Sequence, residues 1–101
     1  MTLSEKIISD IKNEPVILYM KGTKEMPMCG FSSTAVNILN MHEVNYKAVN
    51  VLENPEIRVE LSEYSKWPTI PQLFVNSTLI GGCDIMIELH NNGELEKILG
   101  N

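Results

Sequence analysis

The order of hydrophobic and polar positions along the chain predicts an alternation of helices and strands. Between positions 3 and 11, apolar residues recur at helical spacing, and Thr2 with Glu5 three residues later forms a capping box that starts this helix. An uninterrupted apolar run, Val16–Met20, follows. Such a run is typical of a strand that is buried on both faces of a sheet covered by helices.

The rest of the chain continues this alternation. In chain order, the pattern predicts a helix from about Gly30, a strand over Tyr46–Val51, a helix from Asn54-Pro55, a hairpin of Leu73–Val75 with Thr78–Ile80 before a break at Gly81-Gly82, a helix from about Asp84, and a last turn or two over Glu94–Leu99. The helix between the first two strands makes them parallel, with a right-handed crossover. We therefore expect an α/β protein of thioredoxin-like arrangement, a small four-stranded mixed sheet flanked by helices, folded as one domain over residues 1–101.

Composition narrows the class of protein. The chain has 101 residues, of which 44% are hydrophobic and 21% charged, and its net charge is −5. A nucleic-acid binder usually carries a basic stripe, and this sequence has none. Its longest apolar run is far below the roughly 20 residues of a membrane span, and the N-terminus lacks the apolar segment of a signal peptide. We expect an intracellular, cytoplasmic protein that binds neither nucleic acid nor membrane.

The chain has two cysteines, too few for a disulfide scaffold. Cys29 lies between the polar loop Lys21–Met28 and the helix from Gly30, and a helix N-terminus lowers the pKa of a thiol. Because the residues before Cys29 form a polar loop and not a core strand, Cys29 is not expected to be a buried structural cysteine. In the familiar redox pattern two residues separate the two cysteines, but here the second cysteine position is Ser32, which excludes ordinary dithiol exchange. One activated thiolate remains.

Four motifs now point to a family. The chain resembles the CGFS monothiol glutaredoxins in Lys21-Gly22-Thr23, Pro27-Met28-Cys29-Gly30-Phe31-Ser32, Trp67-Pro68-Thr69-Ile70-Pro71-Gln72-Leu73 and Gly81-Gly82-Cys83-Asp84. The motifs occur in the expected order and cover essentially the whole chain. Two departures are Lys24, where the family often has proline, and Met28, where it commonly has a polar residue; both affect the loop before Cys29 and remove no ligand.

The resemblance implies a glutathione groove beside Cys29. In such a groove Pro71 is in the cis form, and the backbone of Ile70 pairs with the cysteinyl unit of glutathione like an added strand. The resemblance assigns one glutathione carboxylate to Lys21 and Arg58, the γ-glutamyl end to Cys83 and Asp84, and the shape of the groove to Trp67, Gly81 and Gly82.

A count of ligands extends this expectation to a [2Fe–2S] cluster, which takes four thiolates. One chain offers Cys29, and Cys83 is expected outside ligating reach at the other end of the groove. Two chains and two glutathione molecules complete the four. We therefore expect a homodimer when the cluster is bound. The family further suggests scaffold and apo-acceptor proteins, and a BolA-like protein, as partners.

Three functions stay open at this point. The chain could carry iron–sulfur clusters, with Cys29 as the metal ligand and at most weak enzymatic activity. It could instead be a glutathione-dependent oxidoreductase in which Cys29 removes glutathione from mixed disulfides, or a redox-inactive adaptor. Ser32 favours the carrier. His42 and His90 have no metal-ligand spacing with each other or with a cysteine, and His42 is expected to pack or to cap a helix end.

Overall fold

The computed structural model describes residues 1–100 and confirms the predicted sheet, whose four strands lie in the order β2-β1-β3-β4. The helices are α1 Leu3–Asn13, α2 Gly30–Met41, α3 Pro55–Ser65, α4 Cys83–Asn91 and α5 Glu94–Leu99, and the strands are β1 Val16–Met20, β2 Lys47–Asn50, β3 Gln72–Val75 and β4 Thr78–Gly81. Strand β1 is parallel to β2 and antiparallel to β3, and β3 is antiparallel to β4. Leu18 therefore lies between Ala48 and Leu73.

Local signals in the sequence start these elements as predicted. The Thr2 hydroxyl accepts the N–H of Glu5 at 3.1 Å, and the Glu5 carboxylate accepts the N–H of Thr2 at 2.9 Å. Asn54 caps α3 by accepting the N–H of Glu56 at 3.0 Å, with proline at the first helical position. These caps satisfy N–H groups that have no partner within the helix.

Three predicted boundaries differ from the structure. The strand predicted over Tyr46–Val51 is shorter, because the Asn50 side chain accepts the N–H of Leu52 at 3.0 Å and starts a 3₁₀ turn over Val51–Glu53. Strand β4 continues through Gly81 instead of breaking there, and α4 begins at Cys83.

The two faces of the sheet carry separate cores. Alternate side chains of β1 point to opposite faces, which explains why the whole strand is apolar and buried. One core joins Leu18 and Met20 to helices α2, α4 and α5; the other joins Ile17 and Tyr19 to α1 and α3. Helices α2 and α4 thus lie on the same face. Within residues 1–100, none of the helices has the length and apolar character needed to cross a membrane.

Candidate functional site

The thiol of Cys29 lies at the N-terminus of α2, where Cys29 is the N-cap residue and is half-buried. The backbone N–H of Ser32 is the main cause that lowers the pKa of Cys29. The N–H of Phe31 and the positive charge of Lys21 lower this pKa further, and together they outweigh the opposing effect of burial. These surroundings therefore make the thiolate of Cys29 easier to form, and the thiolate is both the nucleophilic and the metal-binding form of cysteine.

Ser32 has a structural role that the sequence did not indicate. Its side chain is fully buried, and its hydroxyl accepts the backbone N–H of Lys21 at 3.0 Å. The same hydroxyl also lowers the pKa of Cys29 by hydrogen bonding. Ser32 thus ties the end of β1 to the first turn of α2 and holds the residues on both sides of the thiolate.

The loop before Cys29 is anchored to the last residue of β2 and to Tyr46, the residue just before β2. The Lys24 ammonium donates to the backbone oxygen of Tyr46 and lies 3.9 Å from the centre of its ring. The N–H of Gly22 donates to the Asn50 side chain at 2.9 Å. Lys24, which departs from the family pattern, therefore fastens the loop by a hydrogen bond and a cation–π contact.

A groove of about 450 Å³ opens beside Cys29. Of the residues that the sequence assigned to a glutathione site, those that line this groove are Lys21, Cys29, Arg58, Trp67, Ile70, Pro71, Gly82, Cys83 and Asp84. They come from five separate segments of the chain. Gly81, the last residue of β4, does not line the groove.

The segment before β3 forms one wall of the groove. The Ile70–Pro71 peptide bond is cis, as predicted. The fully buried side-chain amide of Gln72 donates to the backbone oxygens of Trp67 and Thr69, at 2.9 and 3.0 Å. Because one amide group holds two carbonyls, Gln72 fixes the shape of the wall that carries Ile70.

The two glycines before α4 allow close packing beneath the groove. A Cβ on Gly81, whose φ is +143°, would lie 2.8 Å from the Cβ of Ile85. A Cβ on Gly82 would lie 3.2 Å from the backbone oxygen of Pro71 and 3.3 Å from the Trp67 ring nitrogen. A larger residue at Gly81 would clash with Ile85 on α4, and one at Gly82 would require Pro71 or Trp67 to shift slightly, which supports the structural role expected for both glycines.

Charged groups surround the groove. Lys21 is half-buried, Arg58 and Asp84 are exposed, and the Arg58 guanidinium donates to the backbone oxygen of Pro68 at 3.4 Å. Asp84 lies in the first turn of α4, whose backbone N–H groups attract negative charge. The groove can therefore accept a ligand that has two carboxylates and one ammonium group.

Cys83 lies in the same groove, with a side chain only 8% exposed. Burial raises its pKa most, and the negative charges of Asp84 and Cys29 raise it further. Its thiol is therefore held in the protonated form. What Cys83 presents to a ligand in the groove is therefore its backbone at the start of α4, and not a thiolate.

Three apolar side chains are exposed on or just before the first turn of α2: Met26, Met28 and Phe31, at 68%, 63% and 62%. Phe31 also lines the groove. The three residues flank Cys29 in sequence, and exposed apolar side chains beside a groove are typical of a surface that another molecule covers.

The sequence pattern missed the bracing residues of the site. From sequence, Ser32 indicates only the missing second thiol, and Gln72 is simply one residue of a motif. One available signal was that Gln72 is a polar residue at the start of an otherwise apolar strand. The contact between Lys24 and Tyr46 left no signal, because 22 residues separate the two.

The chain matches known sequences over most of its length. The family model described as glutaredoxin matches residues 16–80. A protein of Rickettsia felis named probable monothiol glutaredoxin 2 is 56% identical over 95 residues, which cover 94% of this chain and 91% of that protein.

Solved structures show the same fold. The solution structure of reduced apo GrxS14 from poplar is 44% identical, covers 95% of this chain and 88% of its own, and has a TM-score of 0.83. The crystal structure of a buckwheat glutaredoxin–glutathione complex is 22% identical, covers 96% of this chain and 86% of its own, and has a TM-score of 0.85. At that identity the second likeness concerns the fold alone.

Proposed function

Because the chain belongs to the monothiol glutaredoxins, we propose that it binds a glutathione-ligated [2Fe–2S] cluster at a homodimer interface and transfers this cluster to acceptor proteins in iron–sulfur cluster assembly. We place this activity in the cytoplasm, where free glutathione is available. The observation that carries the proposal is a single activated thiolate, Cys29, followed by a buried serine that is already hydrogen-bonded to Lys21.

The ligand count requires a second chain. Within residues 1–100, no group of three or more His, Cys, Asp or Glu side chains is arranged to hold a metal ion. A [2Fe–2S] cluster needs four ligands, usually thiolates. The thiolates of Cys29 from two chains and of two glutathione molecules would supply them, while Cys83, which is only 8% exposed, would contribute none.

The exposed apolar surface formed by Met26, Met28 and Phe31 supports a dimer. It lies beside Cys29, where a second copy has to approach if both thiolates are to reach one cluster. Methionine side chains are flexible and adapt to a partner surface. In this proposal they pack against the second copy when the cluster is bound.

Glutathione would lie in the groove in an extended form. Lys21 and Arg58 would hold one carboxylate, the backbone of Ile70 would pair with the cysteinyl unit, and the start of α4 at Cys83 and Asp84 would hold the γ-glutamyl end. Exposed ion pairs are worth only about 0.2–1 kcal/mol each. Such glutathione binds weakly and exchanges readily, which suits a carrier.

Transfer would then proceed by ligand exchange. A thiolate of the acceptor replaces a glutathione thiolate on iron, and the released glutathione takes up a proton; no oxidant is consumed. We propose iron–sulfur scaffold proteins as donors, apo-proteins as acceptors and a BolA-like protein as a further partner.

The test is purification without oxygen in the presence of glutathione. We expect a coloured dimer with a [2Fe–2S] spectrum, and a colourless, folded monomer from Cys29→Ser. Met41→Ser, which changes an exposed side chain at the far end of α2, is the control and should keep the colour. A coloured dimer from Cys29→Ser would contradict the proposal.

The lowered pKa of Cys29 also favours a second function, the removal of glutathione from mixed disulfides. The Cys29 thiolate attacks the glutathione sulfur and releases the substrate thiolate; free glutathione then restores Cys29 and leaves as oxidised glutathione. We expect this activity to be weak, and transfer to an apo-ferredoxin to finish within minutes in the same preparation. Fast turnover of mixed disulfides without any cluster transfer would show that the protein is mainly an oxidoreductase and not a cluster carrier.

A further inference from the structure

The two histidines meet at the ends of α2 and α4 that lie away from the groove. Nε2 of His42 lies 3.0 Å from Nδ1 of His90, and the two rings are nearly perpendicular, at 81°. His42 is the C-cap of α2 and His90 lies in the last turn of α4; both are half-buried. Their separation of 48 residues in sequence explains why spacing alone indicated no common site.

The surroundings of this pair favour a positive charge. Helices α2 and α4 both begin at the groove, lie on the same face of the sheet and bring their C-terminal ends together at the histidines. A helix C-terminus carries about half a negative charge. Two such ends, in a protein of net charge −5, attract a cation to the position between the rings.

We propose that His42 and His90 form a binding site for a late divalent transition metal ion, such as Ni²⁺ or Cu²⁺. Imidazole nitrogen is a ligand that suits these ions. The two facing nitrogens already lie 3.0 Å apart, so turning the rings is enough to bring both onto one ion with metal–nitrogen bonds of about 2.0–2.1 Å.

Binding requires a change in both rings. In the hydrogen-bonded pair one facing nitrogen carries a proton, and a metal needs the lone pairs of both. The donor ring of a neutral pair moves this proton to its other nitrogen, so no proton is released; a singly protonated pair releases one. Each ring also turns so that the two lone pairs converge. Within residues 1–100 no third His, Cys, Asp or Glu side chain is placed to complete the site, so we expect water at the other coordination positions.

The bound ion would join the far ends of α2 and α4. The site is separate from Cys29, because the 12 residues of α2 span about 18 Å. It therefore does not rest on the proposed cluster transfer, and its failure would leave that proposal unchanged.

The test is a titration of the reduced full-length protein with Ni²⁺, followed by ¹H–¹⁵N spectra. We expect paramagnetic broadening that saturates and centres on the histidine rings and on the amides at the ends of α2 and α4. We also expect the melting temperature to rise by about 6–11 °C when free Ni²⁺ is ten times its dissociation constant. His90→Gln and His42→Gln should each abolish both effects, whereas Met41→Ser should keep them.

Two outcomes would overturn the site. One is equal broadening in the unmodified protein and in either folded glutamine variant. The other is broadening centred only on Cys29, which would show that Ni²⁺ binds the thiolate instead. Metal-free spectra establish that a variant is folded, and because each variant removes a different ligand, one folded variant is enough to decide.

Discussion

Helices α2 and α4 begin at the same groove, and each places a cysteine at its start, yet the two thiols have opposite properties. The pKa of Cys29 is lowered, mainly by the backbone N–H of Ser32. The pKa of Cys83 is raised, mainly by burial. Cys29 is the N-cap of α2 and is half-exposed, whereas Cys83 is the first residue of α4 and is only 8% exposed.

The difference teaches that a helix N-terminus does not by itself activate a thiol. An N-cap side chain can accept the free N–H groups of the first turn, but the side chain of the first helical residue of α4 is packed inside the protein. Nearby charges strengthen the contrast, since Lys21 stabilises one thiolate and Asp84 opposes the other. The reactive cysteine is at the N-cap of its helix and the inert one is a single position further along, so a shift of one residue separates the two.

The largest expected effect is the difference in thiol reactivity. Below both pKa values, each unit that separates them changes the ratio of thiolate fractions tenfold, and burial adds a barrier at Cys83. We expect iodoacetamide at pH 7 to modify Cys29 faster than Cys83 by on the order of a hundredfold. The pH at which modification is half-maximal should lie below the usual thiol value of about 8.5 for Cys29 and above it for Cys83. Peptide mass spectrometry measures both rates, and equal rates would remove the contrast.

The second effect concerns Ser32, which supports only the reactive cysteine. Ser32→Ala leaves the N–H of Lys21 buried without its acceptor, and we expect the free energy of unfolding to fall by about 1–3 kcal/mol. The pKa of Cys29 should also rise, since one hydrogen bond to its thiolate is lost. Urea unfolding and pH-dependent alkylation measure these changes. Ser33→Ala, one position further along α2, should alter stability by less than about 0.5 kcal/mol; an equal loss in both variants would rule out a special role for Ser32.

Most of the fold followed from signals that lie close together in sequence. The capping box at Thr2, the apolar run of β1 and the cap at Asn54 each act over a few residues, and each predicted its element correctly. Strand β2 was predicted too long because a side chain ended it: Asn50 accepts two backbone N–H groups, from Gly22 and Leu52. One of these comes from 28 residues away, beyond the reach of any local pattern.

The candidate site shows the same division. Motifs that resemble a known family named most residues of the groove, but not the contacts that hold them. The bond between Ser32 and Lys21 and the pairing of His42 with His90 link different elements of the fold. Such contacts depend on how β1, α2 and α4 pack, so they became visible only in three dimensions.

A smaller effect is expected from Asp84→Asn. This change removes a negative charge that raises the pKa of Cys83, so the thiolate of Cys83 should form more easily. Because Asp84 is exposed, the gain is limited to about 0.2–1 kcal/mol, or at most about a fivefold faster alkylation of Cys83 at pH 8. Glu88→Gln, on the exposed part of the same helix, is the matched control and should leave both cysteines unchanged. No increase in the Asp84 variant would show that the charge of Asp84 does not raise the pKa of Cys83.

The smallest effect is expected from Lys21→Gln, and it separates charge from geometry at Cys29. The variant keeps the backbone N–H that donates to Ser32 and removes only a positive charge, whose influence on Cys29 is weaker than that of the Ser32 N–H. We expect alkylation of Cys29 at pH 7 to slow by about twofold at low salt and to match the unmodified protein in 1 M salt, where charges are screened within about 3 Å. Lys47→Gln, an exposed lysine on β2, is the control. If the rate falls equally at both salt concentrations, Lys21 acts by positioning the loop before Cys29. If it falls only at low salt, the ammonium acts through its charge, and the remaining activation of Cys29 belongs to the N–H groups that open α2.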